Sequence, residues 1–226
     1  MNRTYAVVFS IVLTMLFSIS SSAAPIGRPI TAQNQWMVGG IVSYDKVDLE
    51  NNQRTLRGEA TSTVFLSEAA YGFADGAEFY LRLGTSSEKF RAGAFSPDLS
   101  SKLDWGVGIR GTWYDSYQNW KLVGDAQWMA RPSRNYLGSD LDYTEWQVAS
   151  AMEYRLTNEI FPYAGIFYQN LEITSNNQSQ FPSVQAVNKV GAYLGAGFEP
   201  SPRWVFFTEA RMSAGASVTA GANYRF

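Results

Sequence analysis

The chain has 226 residues, a net charge of −2, no cysteine and no histidine. The absence of cysteine excludes a disulfide scaffold, a thiolate metal site and a lipidated cysteine anchor. Aromatic residues make up 15% of the chain and charged residues only 17%, against about 25% charged residues in a typical soluble domain. The nearly neutral charge argues against nucleic acid as a partner, and the length predicts one domain or at most two.

Residues 1–24 have the pattern of a secretory signal peptide. Arg3 gives a positive start, residues 5–19 are mostly apolar, and residues 20–24 supply the small side chains of a cleavage site. A single transmembrane anchor is the alternative, but this apolar stretch is shorter than the ~20 residues that a spanning helix needs. We therefore predict a signal peptide over 1–24 and one folded domain over 25–226.

Beyond the signal peptide, apolar and polar residues alternate with a period of two, which is typical of strands. In residues 104–114, for example, Trp105 and Ile109 lie on one face of the predicted strand, whereas Asp104 and Arg110 lie on the other. Each predicted end carries an error of ~2–4 residues. The pattern predicts ten strands, with eight as the alternative, over residues 36–47, 56–72, 77–85, 104–114, 120–131, 142–156, 160–171, 187–199, 203–213 and 215–226.

The breaks between these strands alternate in length, except that the last one, at Ala214, is also tight. Short turns on one side and long loops on the other are typical of outer-membrane barrels, whose turns are periplasmic and whose loops are extracellular. The short breaks lie near 73–76, 115–119, 157–159 and 200–202, and the long ones near 48–55, 86–103, 132–141 and 172–186.

The two faces of the predicted strands differ in charge. In the seven clearest strands one face carries no charged residue, while charged residues recur on the other. A soluble sandwich or lipocalin-like barrel would put the apolar face inside; a membrane barrel puts it against lipid. The apolar face holds many small residues that would fill a soluble core poorly, and the charged face holds many glycines that leave room for long side chains. Aromatic residues near the strand ends, as interfacial girdles require, are Trp105, Trp113, Trp128, Phe198 and Trp204. We therefore predict an all-β, antiparallel, transmembrane up-and-down β-barrel.

The last eight residues contain Thr219, Gly221, Tyr224 and Phe226 at the spacing polar, any, Gly, any, any, aromatic, any, terminal aromatic. This spacing resembles the β-signal of bacterial outer-membrane proteins. With the strand pattern, the chain resembles the small barrels of the OmpA and OmpX type, although ten strands would exceed their eight and no periplasmic peptidoglycan-binding domain is predicted.

This resemblance implies a location in the outer membrane of a Gram-negative bacterium, in contact with outer-membrane lipid and lipopolysaccharide. It also implies that the barrel-assembly machinery recognises Tyr224 and Phe226.

The inner face of a ten-stranded barrel is close to full, because side chains just fill eight strands whereas 16–18 strands leave an aqueous channel. Basic and acidic residues are nearly equal in number on this face, which predicts internal salt bridges and a largely filled lumen. A narrow passive channel for small solutes would use the same residues and remains the alternative. The predicted lumen charge network consists of Glu78, Arg82, Arg110, Asp125, Arg131, Glu145, Glu153, Arg155, Lys189, Glu209, Arg211 and Arg225.

No catalytic site is predicted. The outer-membrane protease, phospholipase, palmitoyltransferase and deacylase families use a catalytic histidine, which this chain lacks. Asp140, Asp142 and Glu145 near one loop are interpreted as solvated charges or at most a weak cation site, so we predict no enzyme, cofactor or metal. The long loops 86–103 and 172–186 suit binding of an extracellular ligand or simple surface display. We therefore expect a structural or surface-interaction protein.

Overall fold

The structure is a computed structural model that describes residues 31–51, 57–91, 98–99, 103–116, 119–136, 139–176, 183–213 and 215–226. The predicted signal peptide lies outside the described residues. The strands are β1 (Trp36–Asn51), β2 (Arg57–Ala74), β3 (Ala77–Arg91), β4 (Asp98–Leu99), β5 (Leu103–Asp115), β6 (Trp120–Tyr136), β7 (Ser139–Tyr154), β8 (Ile160–Ser175), β9 (Val184–Ala186), β10 (Val190–Ser201), β11 (Trp204–Met212) and β12 (Gly215–Arg225).

Ten of these strands form a closed antiparallel barrel, which confirms the predicted fold and strand count. The order around the barrel is β1-β2-β3-β5-β6-β7-β8-β10-β11-β12, and β12 pairs with β1 from Met37↔Arg225 to Val47↔Gly215. Where the wall closes on itself the strands have no free edge, so the ladder satisfies their backbone hydrogen bonds internally, as a lipid environment requires. Among the described residues, no helix is long and apolar enough to cross a membrane.

The barrel has two different ends. We call the end with the connections β2–β3, β5–β6, β7–β8 and β10–β11 the turn end, and the opposite end the loop end. The turn at Gly76 has a φ of 73°, which suits glycine because the residue has no Cβ. Thr112 closes this end by donating its backbone N–H to Gly76 O at 2.7 Å.

Side chains alternate between the inside and the outside of the wall. Along β3, Tyr80 and Arg82 are 1% exposed, while Leu81 and Leu83, which follow them, are 41% and 44% exposed. This is the geometry of a pleated strand, in which successive Cβ atoms point to opposite faces. The apolar face of the sequence therefore lies outside and the charged face inside, as in a barrel surrounded by lipid.

Most of the described residues within the predicted long loops belong to strands. β1, β2, β3, β6, β7 and β8 have 15 to 18 residues, whereas β5, β10, β11 and β12 have 9 to 13. The short strands β4 and β9 continue the wall above them: β4 pairs with β3, and β9 joins β8 to β1 through Ile173↔Val184 and Leu49↔Ala186. We call the loop-end parts of β1–β3 and β6–β8, together with β4 and β9, the collar.

Aromatic side chains on the outer surface make contacts in two zones. Near the loop end, the rings of Trp105 and Trp128 pack edge to face with centroids 4.8 Å apart. Near the turn end, Trp204 stacks on Phe206 at 5.9 Å, and Phe206 on Phe198 at 6.5 Å. Trp113, also near this end, is 79% exposed. These positions match the two interfacial girdles of a membrane barrel.

Candidate functional site

The lumen is the candidate site, because the charged side chains of the barrel converge there. The best-connected group surrounds Arg110 of β5, whose side chain is 3% exposed. Its guanidinium lies 2.5 Å from Glu68, 3.3 Å from Glu78 and 3.7 Å from Asp125. Arg82 of β3 shares Glu68 at 2.7 Å. Two guanidiniums and three carboxylates from four strands therefore compensate one another where water is scarce.

Tyr80 organises this group from its centre. Its ring lies beneath both guanidiniums, with centroid distances of 4.4 Å to Arg82 and 4.1 Å to Arg110, and its hydroxyl donates to Asp125 at 2.9 Å. The ring reaches this position only because Gly108 faces it: a Cβ on Gly108 would lie 2.3 Å from the ring. A cation–π contact is strongest when it is desolvated, as here.

A second charged group lies towards the loop end. Arg131 of β6 contacts Glu88 at 2.6 Å and Asp104 at 3.8 Å, and stacks over the ring of Tyr143 at 4.2 Å. The hydroxyl of Tyr143 donates to Glu145 at 3.1 Å. The network therefore continues from β3 and β5 to β7.

A third group joins β11 to β7 and β8. Arg211 lies 2.5 Å from Glu209 and donates to Gln147 at 3.1 Å. Tyr163 donates its hydroxyl to Glu209 at 3.0 Å. Arg211 and Glu209 are both fully buried, so this pair has no access to solvent.

Hydroxyl groups also hold Asp45, another buried carboxylate. Ser43 donates to Asp45 at 2.6 Å and Ser62 at 3.4 Å, and Ser43 also lies 3.0 Å from the hydroxyl of Thr219. These contacts link β1 to β2 and to β12 across the seam where the barrel closes.

Apolar side chains fill the space between and above the charged groups. Met129 packs against Ile41, Val64 and Leu66. The collar is filled by a buried cluster, which we call the apolar cap, and each of its members is at most 7% exposed. The apolar cap consists of Val47, Leu49, Phe90, Leu141, Tyr143, Leu171, Ile173, Val184 and Ala186.

The structure places most of the predicted lumen charges inside the barrel. Glu78, Arg82, Arg110, Asp125, Arg131, Glu145, Glu153, Glu209 and Arg211 are all buried. Arg225 lies at the turn end, where it contacts Glu199 at 2.7 Å. Arg155 is half-buried just beyond the end of β7.

The structure corrects the predicted place of Lys189 in the lumen charge network. Its ammonium donates to Asn170 at 2.6 Å, and Asn170 pairs with Trp146 on the outer side of the wall. Residue 189 precedes β10 instead of lying within it. The side chain of Lys189 therefore contacts the outer side of the wall and does not join the buried charged groups.

The expected balance of charge is also wrong for the buried interior. Among the described residues, the buried charged side chains are ten carboxylates and four arginines: Asp45, Glu50, Glu68, Glu78, Glu88, Asp104, Asp125, Glu145, Glu153 and Glu209 against Arg82, Arg110, Arg131 and Arg211. Several basic residues that entered the sequence count, such as Lys121 and Arg203, lie near the turn end or are exposed. Long basic side chains reach solvent more easily than short acidic ones, so the deep interior is acidic.

The sequence interpretation missed several of the residues that hold the network together. Glu68 bridges two arginines, but its strand is rich in small polar residues that blur the alternation. Glu88 was assigned to a loop. Residues 90–94 alternate between apolar or aromatic and small or polar side chains, and this signal would have extended the strand past Glu88.

The predicted assembly residues have structural roles in β12. Thr219 faces inwards, and Gly221 gives room to Phe207, because a Cβ there would lie 2.4 Å from that ring. Tyr224 packs edge to face on Trp204 at 5.1 Å and on Phe226 at 5.2 Å.

The acidic residues near the loop between β6 and β7 do not converge. Asp142 is exposed on the outer face, whereas Glu145 is buried and faces the lumen. In the part of the chain that the structure describes, no group of three or more acidic, histidine or cysteine side chains is arranged to hold a metal ion.

No family model matches the sequence, and no curated protein matches it significantly. The structure is similar to an outer-membrane channel from Pseudomonas putida F1, with a TM-score of 0.55 and 6% identity over 91% of this chain and 100% of that chain. It is also similar to the translocator domain of the autotransporter NalP from Neisseria meningitidis, with a TM-score of 0.50 and 12% identity over 85% and 89% of the two chains. A third match is Ail, the attachment invasion locus protein of Yersinia pestis, with a TM-score of 0.45 and 12% identity over 86% and 100% of the chains.

Identities this low show a likeness of fold alone. That likeness agrees with the strand pattern, the outward apolar face and the closed ten-stranded wall. The chain has the fold of the small bacterial outer-membrane β-barrels.

Proposed function

We propose that the chain is an integral protein of a Gram-negative outer membrane with a closed lumen and a structural or surface-interaction role. The observation that carries this proposal is the apolar cap, which fills the collar above the charged groups. Below it, Met129 belongs to one buried cluster with Ile41, Val64 and Leu66, which lie on strands three and four places away around the barrel. Such a barrel offers a rigid wall and a collar, not a pore.

The collar is the part that would meet partners. Its outer face carries the charged residues Lys46, Asp48, Lys89, Asp142 and Glu172, which suits a position above the hydrocarbon region, at the level of lipopolysaccharide. In this proposal the collar and the loops that leave it contact lipopolysaccharide and any extracellular ligand. The role is not enzymatic.

The second candidate is a narrow passive channel for small solutes. It is supported by the Pseudomonas putida F1 neighbour, which is described as an outer-membrane channel, and by the acid-rich interior. If water entered the lumen, the excess of carboxylates would favour cations over anions.

A planar bilayer separates the two candidates. The wild-type protein is expected to show little or no steady conductance. Combining Leu171→Ser in the apolar cap with Arg110→Ala in the charged group is expected to raise it, because both layers of the closure are weakened. The matched control combines Thr174→Ser with Arg57→Ala at more exposed positions. It should show no more conductance than the wild type. A steady, ion-selective conductance of the wild type would reject the closed lumen and favour the channel.

The assembly proposal has its own test. Changing Tyr224 and Phe226 together to Ser should leave exported chain unassembled in the periplasm, because the assembly machinery would lose its aromatic contacts. Heat-modifiable migration in gels measures assembly. Changing Trp204 and Phe206 to Ser removes aromatic packing from the neighbouring strand and is the control. Normal assembly of the Tyr224 and Phe226 variant would contradict the proposal.

A further inference from the structure

Residues 31–35, which we call the strap, precede β1 and run beneath the turn end. Asn34 has a φ of 63° and donates its backbone N–H to Gly72 O at 2.7 Å, while Gly72 N–H donates to Gln35 O at 3.0 Å. The side chain of Asn34 accepts a hydrogen bond from Tyr71 at 3.0 Å. The strap is therefore held on the end of β2 by backbone and side-chain bonds.

The first residue of the strap enters the lumen. Thr31 is 3% exposed, and its backbone N–H donates to Glu78 Oε2 at 2.9 Å while its hydroxyl donates to the same oxygen. The other oxygen of Glu78 lies 3.3 Å from Arg110. One buried carboxylate thus connects the strap to the central charged group.

The docked position of the strap against β2 depends on Gly72. A Cβ at this position would lie 2.1 Å from Ala32 O, a backbone atom that cannot move unless the strap moves. At Gly40, in β1, a Cβ would meet nothing within 4 Å. Glycine is therefore required where the strap crosses the strand but not at this other site in the same wall.

Among the residues that the structure describes, the strap makes few contacts besides these. Residues 32–35 are exposed, and only Thr31 is buried. Segments that bury little apolar surface open locally at a low free energy, whereas a strand in the middle of a barrel opens only with the whole fold.

We propose that the strap is a detachable stopper for the turn end of the lumen. Docked, it covers Glu78 and closes the lumen opposite the apolar cap. Released, it exposes Glu78 and Arg110 to periplasmic water while the cap stays closed. This inference rests on the proposed closed lumen for its consequence, but the docking and release of the strap are measured separately from conductance.

Residue-resolved hydrogen exchange of the protein in lipid bilayers tests the proposal. The Thr31 amide of the wild type should be protected, yet exchange faster than the Gln147 amide in β7. Gly72→Ala should speed exchange at Thr31 by at least about tenfold and leave Gln147 unchanged. Gly40→Ala is the matched control and should change neither. Thr31→Val, which removes one donor to Glu78 and leaves the barrel untouched, should speed exchange at residue 31 by about fivefold.

Three results would overturn the proposal. Unprotected exchange at Thr31 would mean that the strap is not docked, and exchange as slow as at Gln147 would mean that it does not detach. Equal exchange at Thr31 in both alanine variants and in the Thr31→Val variant would mean that the seat at Gly72 and the bonds to Glu78 do not hold it. If the Gly72→Ala variant exchanged fast at Thr31 and also conducted ions, the closed apolar cap would be contradicted. The proposed release of the strap would still be supported.

Discussion

Replacing Arg110 by Met should destabilise the barrel strongly. The substitution removes the guanidinium from Glu68, Glu78 and Asp125. Glu68 keeps its contact with Arg82, Glu78 keeps its bonds to the strap, and Asp125 keeps its bond from the hydroxyl of Tyr80. Removing one partner from a buried ionic group costs ~3–5 kcal/mol because the remaining charges stay buried. With a urea dependence of ~2 kcal/mol per molar, the unfolding midpoint should fall by about 2 M.

The assay is urea unfolding in lipid vesicles, followed by tryptophan fluorescence. The control is Arg57→Met, since Arg57 is 73% exposed and lies 3.8 Å from Glu50, and such a surface pair contributes ~0–1 kcal/mol. Adding Asp125→Asn to Arg110→Met should recover part of the loss, because a stranded charge is removed. Equal shifts for the Arg110 and Arg57 variants would refute the buried network.

Two further substitutions test the wall. Ile109 is 48% exposed on the lipid face, so Ile109→Arg should destabilise the inserted barrel by ~2–4 kcal/mol if the position lies near the midplane. Thr112→Arg on the inner face should reduce membrane insertion less. Equal losses of membrane insertion would mean that the faces are misassigned. Gly108→Ala should cost ~1–3 kcal/mol in urea unfolding because its Cβ collides with a buried tyrosine ring, while Gly111→Ala, whose Cβ meets nothing within 4 Å, should be nearly neutral.

The fold was accessible from the sequence because strand alternation is a local property. The period of two assigns Trp105, Ile109 and Arg110 to the faces of their strand. The ten strands follow from the repeated polar or glycine-rich breaks between alternating segments. The collar was harder to predict from the sequence. Residues 184–186 form β9 only because β1 and β8 extend beyond their shorter neighbours, and no local pattern shows this.

The pairing of charges inside the lumen could not be predicted. Which carboxylate meets Arg110 depends on the register of every strand around the closed barrel, and no local pattern states it. The acid excess of the buried interior could not be predicted for a related reason. The sequence shows which face of a strand a basic residue occupies, but not how near that residue lies to an end of the barrel. Arg225 illustrates this, because its strand face is inward although its partner Glu199 is at the turn end.

Solvent access to the centre of the lumen tests the closed-lumen account most directly. The chain contains no cysteine, so Ser43→Cys places a single thiol at a buried inward position, and Ser87→Cys places one on the exposed outer face of the collar. A small, charged methanethiosulfonate reagent is added to the protein in lipid vesicles. We expect rapid modification at position 87 and almost none at position 43. Modification at comparable rates would show a water-filled lumen and contradict the closure by the apolar cap and the charged groups.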